Sequence, residues 1–352
     1  MVHPLKRNVL IIGPDTGGIP QSVTKAFRNL GWDADLFAYS PPHMSFFKLA
    51  INRLVVDPNS NKAAINSFNE SLRKGAIPLL KQKKFDFFLI VKGNYLDDDN
   101  KEIISNTKIP IILWTLDSLS RAPYQKNIAD MAARTFYVDG GDIPGNDGGK
   151  SSWLPLGYDR DLYHPGLCFG KNMDVLLIGT VGGYYKRRLE ILNKIAKSDL
   201  SKKWRCGFIG STGTLTGTMS LYFHYKIRQT GTVQWISRRV SADELAKAIS
   251  GSKICINIHQ DDGITPVNPM FFAIPGTGTC MLAENKKHLH QWLKVGEEYV
   301  EFEDDDLLIT IERLLNADKE REGIAYRGYE ASLKHTFESR VTTILQRMEY
   351  GI

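Results

Sequence analysis

One local pattern occurs twice in the chain and constrains the fold more than any other feature. Residues 8–13 read NVLIIG and residues 173–179 read MDVLLIG, so each is an apolar run that ends at a glycine. A glycine-containing loop and an amphipathic, helix-length segment follow each run, over residues 19–30 and 185–197. A strand, a glycine loop and a helix open a Rossmann-like unit. The repeat therefore predicts two such domains, and 352 residues are enough for both.

Between and after these openings, apolar strands alternate with helix-length segments, which predicts parallel sheets with helices on both faces. Residues 161–171, DLYHPGLCFGK, contain Pro and Gly just before the second opening, so we place the domain boundary there. The predicted domains are residues 1–168 and 169–330. Residues 331–352 complete a long C-terminal helix, predicted over 320–348, whose tip is expected to pack back on the first domain.

Composition excludes several classes of protein. With 42% hydrophobic and 24% charged residues, the chain is neither disordered nor fibrous. It has no apolar run of 18 residues and no signal-peptide pattern, so we expect no membrane insertion and a cytoplasmic location. The four cysteines form no CxxC pair, which argues against a zinc or redox motif. A net charge of +6 permits an anionic substrate without requiring one.

Residues 253–282 form the most informative stretch of the second half. An apolar strand over 254–258 leads into a polar loop over 259–265, a short helix begins near 267–269, and a second strand follows over 279–282. This is a βαβ-like unit whose loop lies at the carboxyl end of a strand. Open α/β sheets bind ligands at that edge, so the stretch predicts a binding site.

Polar clusters also follow three strands of the first half, over residues 15–18, 92–94 and 117–118. Because parallel strands end at one edge of the sheet, these clusters should lie together. The first loop is not GxGxxG, so it lacks the dinucleotide fingerprint. Its paired glycines, Gly17 and Gly18, fit either a close approach to a ligand or a plain tight turn.

Several segments together resemble the CgeB-like glycosyltransferases. They are LLIGTVGGYYKRRLEIL, SADELAKAISGSKICINIH and VNPMFFAIPGTGTCMLAE, with His335-Thr336-Phe337 and Arg340 in the closing helix. The first half matches more loosely, through IPIILWTLDS and LPLGYDRDLYHP, and the whole resemblance covers roughly residues 110–345. It implies the GT-B architecture: two Rossmann-like α/β domains that face each other across a cleft. It also implies a nucleotide-sugar donor held mainly by the second domain and an acceptor that faces the first.

The resemblance and the residue chemistry together suggest the site residues. Arginines on the first turns of a helix can hold a diphosphate, and Arg188 fits the family's R-x-x-x-L run better than Arg187 does; either could instead be a surface arginine. The candidate donor-binding residues are Arg188, Arg187, Gly182, Gly183, Asn257, His259, Asn268, Thr277, Gly278, Thr279 and Glu284. The candidate acceptor-side residues are Gly17, Gly18, Lys92, Asn94, Tyr158 and Asp159. Asp117 is the first candidate for a catalytic base and Asp15 the second, although each could equally be a helix cap.

The chain departs from the family at two positions. Where the helix of the family usually carries an arginine and then a glutamate that binds the donor ribose, this chain has Met270 and Ala273. Losing that glutamate removes a charge-assisted contact of about 1.5–3 kcal/mol. Three explanations remain open: another acid such as Glu284 or Asp262 replaces it, the donor is unusual, or the protein is a weakened or non-catalytic relative.

The resemblance thus implies a glycosyltransferase that moves a sugar from a nucleotide diphosphate to a hydroxyl acceptor. We expect no metal, because no DxD follows a strand as a GT-A site requires, and no cofactor beyond the donor. The acceptor, whether polysaccharide, protein or nucleic acid, stays open. One alternative is a non-catalytic GT-B-like protein that binds a nucleotide or glycan. Another is sugar transfer to nucleic acid, as in phage-type DNA glycosyltransferases, although the basic residues are sparse for it.

Overall fold

The chain forms two compact units. The computed structural model describes residues 7–15, 17–40, 59–181, 185–210, 234–236, 240–259 and 263–350. The first unit comprises Met1–Pro155 and Arg340–Ile352, and the second comprises Leu156–Ser339. The division therefore falls earlier in the sequence than residue 168, and the last segment of the chain belongs to the first unit.

A parallel six-stranded sheet is the centre of the first unit, with strand order β2-β1-β3-β4-β5-β6. This is the flavodoxin-like order, in which β1 and β3 flank the point where the direction of winding reverses. The strands inside the sheet are largely buried, because helices cover both faces of such a sheet, whereas the two edge strands are mostly half-buried. They are β1 (Asn8–Pro14), β2 (Asp33–Tyr39), β3 (Phe87–Val91), β4 (Ile111–Trp114), β5 (Arg134–Tyr137) and β6 (Ser151–Trp153).

Local residues mark where two helices of the first unit begin. Gly18 precedes the first of them in the left-handed conformation, and Asp97 caps another by accepting the Asn100 amide. They are α1 (Ile19–Asn29), α2 (Asn59–Ser71), α3 (Ile77–Gln82), α4 (Asp98–Asn106) and α5 (Lys126–Met131). One π-helical turn, Leu72–Ala76, joins α2 to α3.

The second unit has a parallel sheet with strand order β12-β11-β10-β7-β8-β9. Numbered within the unit this is 6-5-4-1-2-3, the doubly wound Rossmann order, whose reversal lies between β7 and β10. The strands are β7 (Met173–Ile178), β8 (Cys206–Ile209), β9 (Gln234–Ile236), β10 (Ser252–Asn257), β11 (Cys280–Glu284) and β12 (Val300–Phe302).

Local sequence accounts for the start of one helix of this unit. Ser241 and Glu244 form a capping box, with both reciprocal hydrogen bonds present. The helices are α6 (Lys186–Lys197), α7 (Leu200–Lys203), α8 (Ala242–Ser250), α9 (Met270–Gly276), α10 (Leu307–Asn316), α11 (Asp318–Ser332) and α12 (Phe337–Arg347), the last of which runs from the second unit into the first. None of the described helices is both long and apolar enough to cross a bilayer.

The long C-terminal helix predicted over 320–348 is two helices. Thr336 is extended, with φ −75° and ψ 167°, and its hydroxyl accepts the Ser339 amide to start α12. The backbone of Thr336 also packs against Gly157, where a Cβ atom would lie 2.6 Å from its carbonyl oxygen. The charge pattern of residues 320–348 does not indicate a helix break at Thr336, because the contact with Gly157 involves a residue far away in the sequence.

The final segment of the chain packs on the first unit. Arg340 is buried and its Nε donates to the Pro155 carbonyl at 2.8 Å. Burial lowers the pKa of Arg340 to about 10. The Tyr350 ring stacks on Phe87 with 5.6 Å between centroids and meets the Trp32 ring edge-on at 5.3 Å. These contacts tie the segment to β3 and to the turn that follows α1.

Candidate functional site

The second unit contains a cavity of about 340 Å³ at the carboxyl edge of its sheet. It lies at the ends of β7 and β10, the two strands between which the winding reverses, where α/β proteins of this order bind ligands. Most of its wall is apolar. The lining residues are Ile178, Gly179, Thr180, Arg188, Ile209, Gly210, Val240, Leu245, Asn257, Asn268 and Met270.

Two glycines create space at this edge. Gly179 has a φ of 114°, and a Cβ atom there would lie 2.9 Å from Nη1 of Arg188. A Cβ on Gly210, after the neighbouring strand β8, would clash with the Gly179 carbonyl oxygen. Both positions therefore require glycine, and Gly179 makes room for the guanidinium beside it.

Arg188 lies on the first turn of α6 and reaches over the strand ends. Its Nε and Nη2 donate to the Ile258 carbonyl at 3.2 and 2.8 Å, and Nη1 donates to the Thr180 carbonyl at 3.1 Å. The guanidinium also lies 4.4 Å from the centroid of the Tyr185 ring. Backbone carbonyls thus hold a positive charge at the wall of the cavity.

Arg187 points elsewhere and is not among the lining residues of the cavity. Its Nε donates to Glu284 at 3.2 Å and its Nη1 to Asp304 at 2.9 Å, and Nη2 also contacts Asp304. These carboxylates raise the pKa of Arg187, with Asp304 as the larger cause. Arg187 therefore links β11 to the start of α10, which removes it from the candidate donor-binding residues.

The two asparagines predicted at the site both line the cavity. Asn268 Nδ2 donates to Asn257 Oδ1 at 3.0 Å, and Asn268 Oδ1 accepts the Phe271 amide at 3.1 Å. Asn257, the last residue of β10, is only 2% exposed. Its Nδ2 has no hydrogen-bond partner among the described residues. A buried donor without a partner is costly to leave unmet, so this atom is a candidate for a ligand contact.

His259 and Glu284 also lie at this edge. The His259 ring is buried, and neither ring nitrogen has a hydrogen-bond partner in the described part of the chain. Burial lowers its pKa well below the usual value, and the charges of Lys286, His288 and Arg188 add to the effect, so the ring is neutral. Glu284 accepts both the His259 backbone amide, at 3.1 Å, and Arg187. Glu284 is thus engaged by the protein and does not line the cavity, which argues against its role as a substitute for the missing glutamate.

The run Thr277-Gly278-Thr279 lies at the opposite edge of the sheet. Helix α9 starts at the carboxyl edge and returns the chain to the amino end of β11, which begins at Cys280. The Thr279 hydroxyl donates to Ile249 at 2.8 Å and accepts Lys171 at 3.3 Å, both of which precede strands. Thr277, Gly278 and Thr279 are therefore structural, and the predicted phosphate contact does not fit their position.

The two residues of α9 that differ from the family pattern, Met270 and Ala273, have different surroundings. Met270 lines the cavity, so an apolar side chain stands where the family resemblance implies an arginine. Ala273 is fully buried and is not among the lining residues. Asp262, the other proposed substitute acid, and the predicted loop glycines Gly182 and Gly183 lie outside the described residues.

In the first unit, the structure brings two predicted residues together. Lys92 follows β3 and Asp117 follows β4, and their side chains form an ion pair at 3.1 Å. Sequence reasoning missed Arg121, whose Nε lies 3.9 Å from Asp117, and Tyr124, whose pKa is raised by burial next to these charges. Lys92 has a φ of 71°, a conformation that a non-glycine residue rarely adopts. This strain at the carboxyl edge suits a functional position.

The other first-unit candidates make local contacts. Asp15 accepts a hydrogen bond from the Gln21 amide at 3.2 Å, and Asn94 accepts the backbone amide of the next residue at 2.8 Å. Gly17 and Gly18 have φ angles of 78° and 70°, and a Cβ atom on either would meet nothing within 4 Å. Their conformation therefore requires glycine, although no described atom approaches them closely.

Tyr158 and Asp159 belong to the second unit, not to the acceptor side. Tyr158 is 2% exposed, its hydroxyl pairs with Ser332 at 3.1 Å, and its ring covers Gly276. Asp159 accepts the Asp161 amide within its own turn at 3.0 Å. Tyr158 is thus a core residue of the second unit, a position that does not favour its predicted contact with an acceptor.

A sequence model described as "Glycosyl transferase-like" matches residues 187–346 of this chain. That segment contains β8 to β12, Arg188 and both asparagines of the cavity. No curated protein matches the chain in sequence.

Several solved structures match nearly the whole chain in fold. HepE of Anabaena, in complex with UDP and glucose, is 10% identical, with 97% of this chain and 99% of that chain covered and a TM-score of 0.63. The N-terminal domain of Candida albicans trehalose-6-phosphate phosphatase is 12% identical, with 99% and 100% covered and a TM-score of 0.70. The catalytic domain of Arabidopsis thaliana starch synthase IV, bound to ADP and acarbose, is 10% identical, with 98% and 99% covered and a TM-score of 0.69.

The first unit is thus a flavodoxin-like parallel α/β domain and the second a doubly wound one with its cavity at the winding reversal. The predicted α/β class with two Rossmann-like domains is confirmed. The chain has the GT-B glycosyltransferase fold.

Proposed function

We propose that this protein transfers a sugar from a nucleoside-diphosphate donor to a hydroxyl acceptor, and that the second unit binds the donor. The observation that carries this proposal is the cavity at the end of β7 and β10. There Arg188 supplies a positive charge and Asn257 a buried amide donor without a partner among the described residues. Both groups suit phosphate oxygens, which only accept hydrogen bonds.

Complexes of proteins with the same fold support the nucleotide assignment. HepE has been solved with UDP-glucose, and the trehalose-6-phosphate protein of E. coli with UDP-2-fluoro glucose. The CgeB-like subfamily is part of the same proposal and rests on the motifs around residues 176–192 and 241–284.

The leaving diphosphate needs charge compensation as the glycosidic bond breaks. We assign this role to Arg188 and Asn257 without a metal ion, so transfer should persist in EDTA. The acceptor hydroxyl needs a proton acceptor. We assign this role to Asp117, positioned by Lys92 at the carboxyl edge of the first sheet. Asp117→Asn should lower kcat by about 10²–10⁴-fold, the usual contribution of a general base, and leave UDP affinity unchanged.

The test is titration calorimetry with UDP, GDP, TDP and CMP, followed by hydrolysis and transfer assays with the matching nucleotide sugars. Binding of a nucleoside diphosphate that competes with its sugar conjugate supports the proposal. If no nucleotide or nucleotide sugar binds, the proposal fails.

A second candidate is a GT-B-like protein that binds a nucleotide or glycan without turnover. Met270 and Ala273 favour it, since neither supplies a polar contact to a donor. The same assays separate the two, because this candidate binds a nucleotide sugar but neither hydrolyses nor transfers it.

A further inference from the structure

The two asparagines of the cavity form a hydrogen-bonded pair whose members have different roles. Both line the cavity, but Asn268 uses both ends of its amide within the protein, whereas Asn257 uses only its oxygen. The remaining polar atom, Nδ2 of Asn257, is buried and has no partner among the described residues. The pair therefore leaves one amide donor, buried in a residue of the cavity wall, without a partner among the described residues.

The orientation of the Asn268 amide follows from its backbone neighbours. The Phe271 N–H, which can only donate, lies 3.1 Å from Oδ1. The Ile258 carbonyl, which can only accept, lies 3.4 Å from Nδ2. A flipped amide would place a donor against a donor and an acceptor against an acceptor. Helix α9 and the end of β10 together thus select one orientation of Asn268.

This orientation determines that of Asn257. Because Asn268 presents Nδ2, the atom of Asn257 that faces it at 3.0 Å must be the acceptor Oδ1. Asn257 Nδ2 is then the polar atom of the pair that has no partner among the described residues. The Ile258 carbonyl also accepts Arg188 at 2.8 Å, so the same backbone group positions the positive charge and, through Asn268, the amide donor.

We propose that Asn268 is a positioning residue that sets the polarity of the cavity. Asn257 Nδ2 donates to an anionic oxygen of the ligand, and Asn268 holds Asn257 in the orientation that permits this. The inference rests on the proposed function in taking that oxygen to belong to the diphosphate of the donor.

Substitution of Asn268 tests this role, because Asn268→Asp and Asn268→Ala act differently on Asn257. In Asn268→Asp the new carboxylate can accept the Phe271 amide but cannot donate to Asn257 Oδ1. We expect the Asn257 side-chain amide to rotate so that its Nδ2 donates to this carboxylate. Asn257 then presents its oxygen, instead of its nitrogen, to the ligand. Asn268→Ala leaves Asn257 able to rotate, so the ligand selects the donating orientation. We expect the affinity for UDP and for inorganic pyrophosphate to fall at least tenfold in Asn268→Asp, about 1.4 kcal/mol, and less in Asn268→Ala. A role in capping α9 alone predicts the reverse order, because the carboxylate keeps the cap.

The new charge of Asn268→Asp also repels an anion, so a double-mutant cycle with Asn257→Ala separates the two effects. Without the Asn257 side chain there is no amide to turn, and Asn268→Asp then measures repulsion alone. We expect a clearly smaller loss of pyrophosphate affinity in that background. Equal losses in both backgrounds would overturn the proposal.

A measurement on the unaltered protein covers the case in which a variant fails to fold. In asparagine-selective ¹⁵N spectra, pyrophosphate should shift the side-chain amide signal of Asn257 more than that of Asn268. An unshifted Asn257 signal in the presence of bound pyrophosphate would contradict the assignment.

The two probes also distinguish this inference from the proposed function. If pyrophosphate binds with the expected dependence on both asparagines but no nucleotide binds, the positioning role stands and the proposed function fails. If UDP binds irrespective of both asparagines, the proposed function stands and the positioning role fails. If neither probe binds, both fail.

Discussion

Arg187 and Arg188 are adjacent in sequence, but the structure predicts that their replacement by alanine affects different properties of the protein. Arg188 lies at the wall of the cavity, whereas Arg187 contacts Glu284 and Asp304 away from it. Arg188→Ala should therefore weaken nucleotide binding, and Arg187→Ala should weaken the fold. Sequence alone treats the two as alternatives for one role.

The magnitudes follow from the contacts. A charge-assisted hydrogen bond contributes about 1.5–3 kcal/mol, so Arg188→Ala should raise the Kd for UDP about 10- to 150-fold. Arg187 is 23% exposed and Asp304 is 58% exposed, so solvent screens their pair, while Glu284 is only 10% exposed. After this discount we expect Arg187→Ala to cost about 1–3 kcal/mol of unfolding free energy. For units of this size that lowers Tm by about 3–10 °C.

Titration calorimetry with UDP and thermal unfolding measure the two effects on the same samples. Arg188→Lys is the matched control, because it keeps the charge but lacks the planar fork that bonds the Ile258 and Thr180 carbonyls. It should recover only part of the affinity. The reasoning is refuted if Arg187→Ala weakens UDP binding as much as Arg188→Ala does, or if Arg188→Ala leaves the Kd within a factor of about two.

Three further substitutions test individual features of the second unit. Gly179→Ala places a methyl group 2.9 Å from Arg188 Nη1, at a φ of 114°. Calorimetry should therefore show a loss of UDP affinity close to that of Arg188→Ala. The unfolding free energy should also fall by about 1–3 kcal/mol. Tyr158→Phe removes the hydrogen bond to Ser332 and should lower the free energy of unfolding in urea by about 1 kcal/mol. Sugar transfer and UDP affinity should stay unchanged. A loss of acceptor affinity would show that Tyr158 contacts the acceptor. The pKa of His259 is lowered in the folded state, so its contribution to stability is complete above pH 6.5 and falls by about 1.4 kcal/mol for each pH unit below that until the lowered pKa is reached. His259→Leu should flatten this part of the pH profile of urea unfolding, and an unchanged slope would show that the ring is not held neutral.

The fold was predictable because its signals are local. Apolar runs that end at glycine, the alternation of strands with amphipathic helices, and the capping box of Ser241 and Glu244 each depend on neighbouring residues. The meeting of Lys92 and Asp117 was predictable for the same reason, since each follows a strand and parallel strands share an edge.

The partners of individual side chains were harder to predict. Arg187 and Arg188 differ in their contacts because Glu284 and Asp304 lie about a hundred residues further along the chain, a separation no local pattern reports. Thr277-Gly278-Thr279 contains residues suited to phosphate binding, but α9 carries it to the opposite edge of the sheet. Residue types alone therefore predict more donor-binding residues than the cavity contains. The path of the chain through the sheet decides which of these candidates lie at the carboxyl edge.

The placement of Arg340–Ile352 in the first unit has a consequence for the order of folding. Leu156–Ser339 is continuous in sequence, so every residue of the second unit is synthesised before the tail that holds Tyr350 against Phe87 and Trp32. The first unit begins synthesis first but receives its last packing element at the end. The aromatic surface around Phe87 and Trp32 therefore lacks Tyr350 until the whole sequence of the second unit has been synthesised.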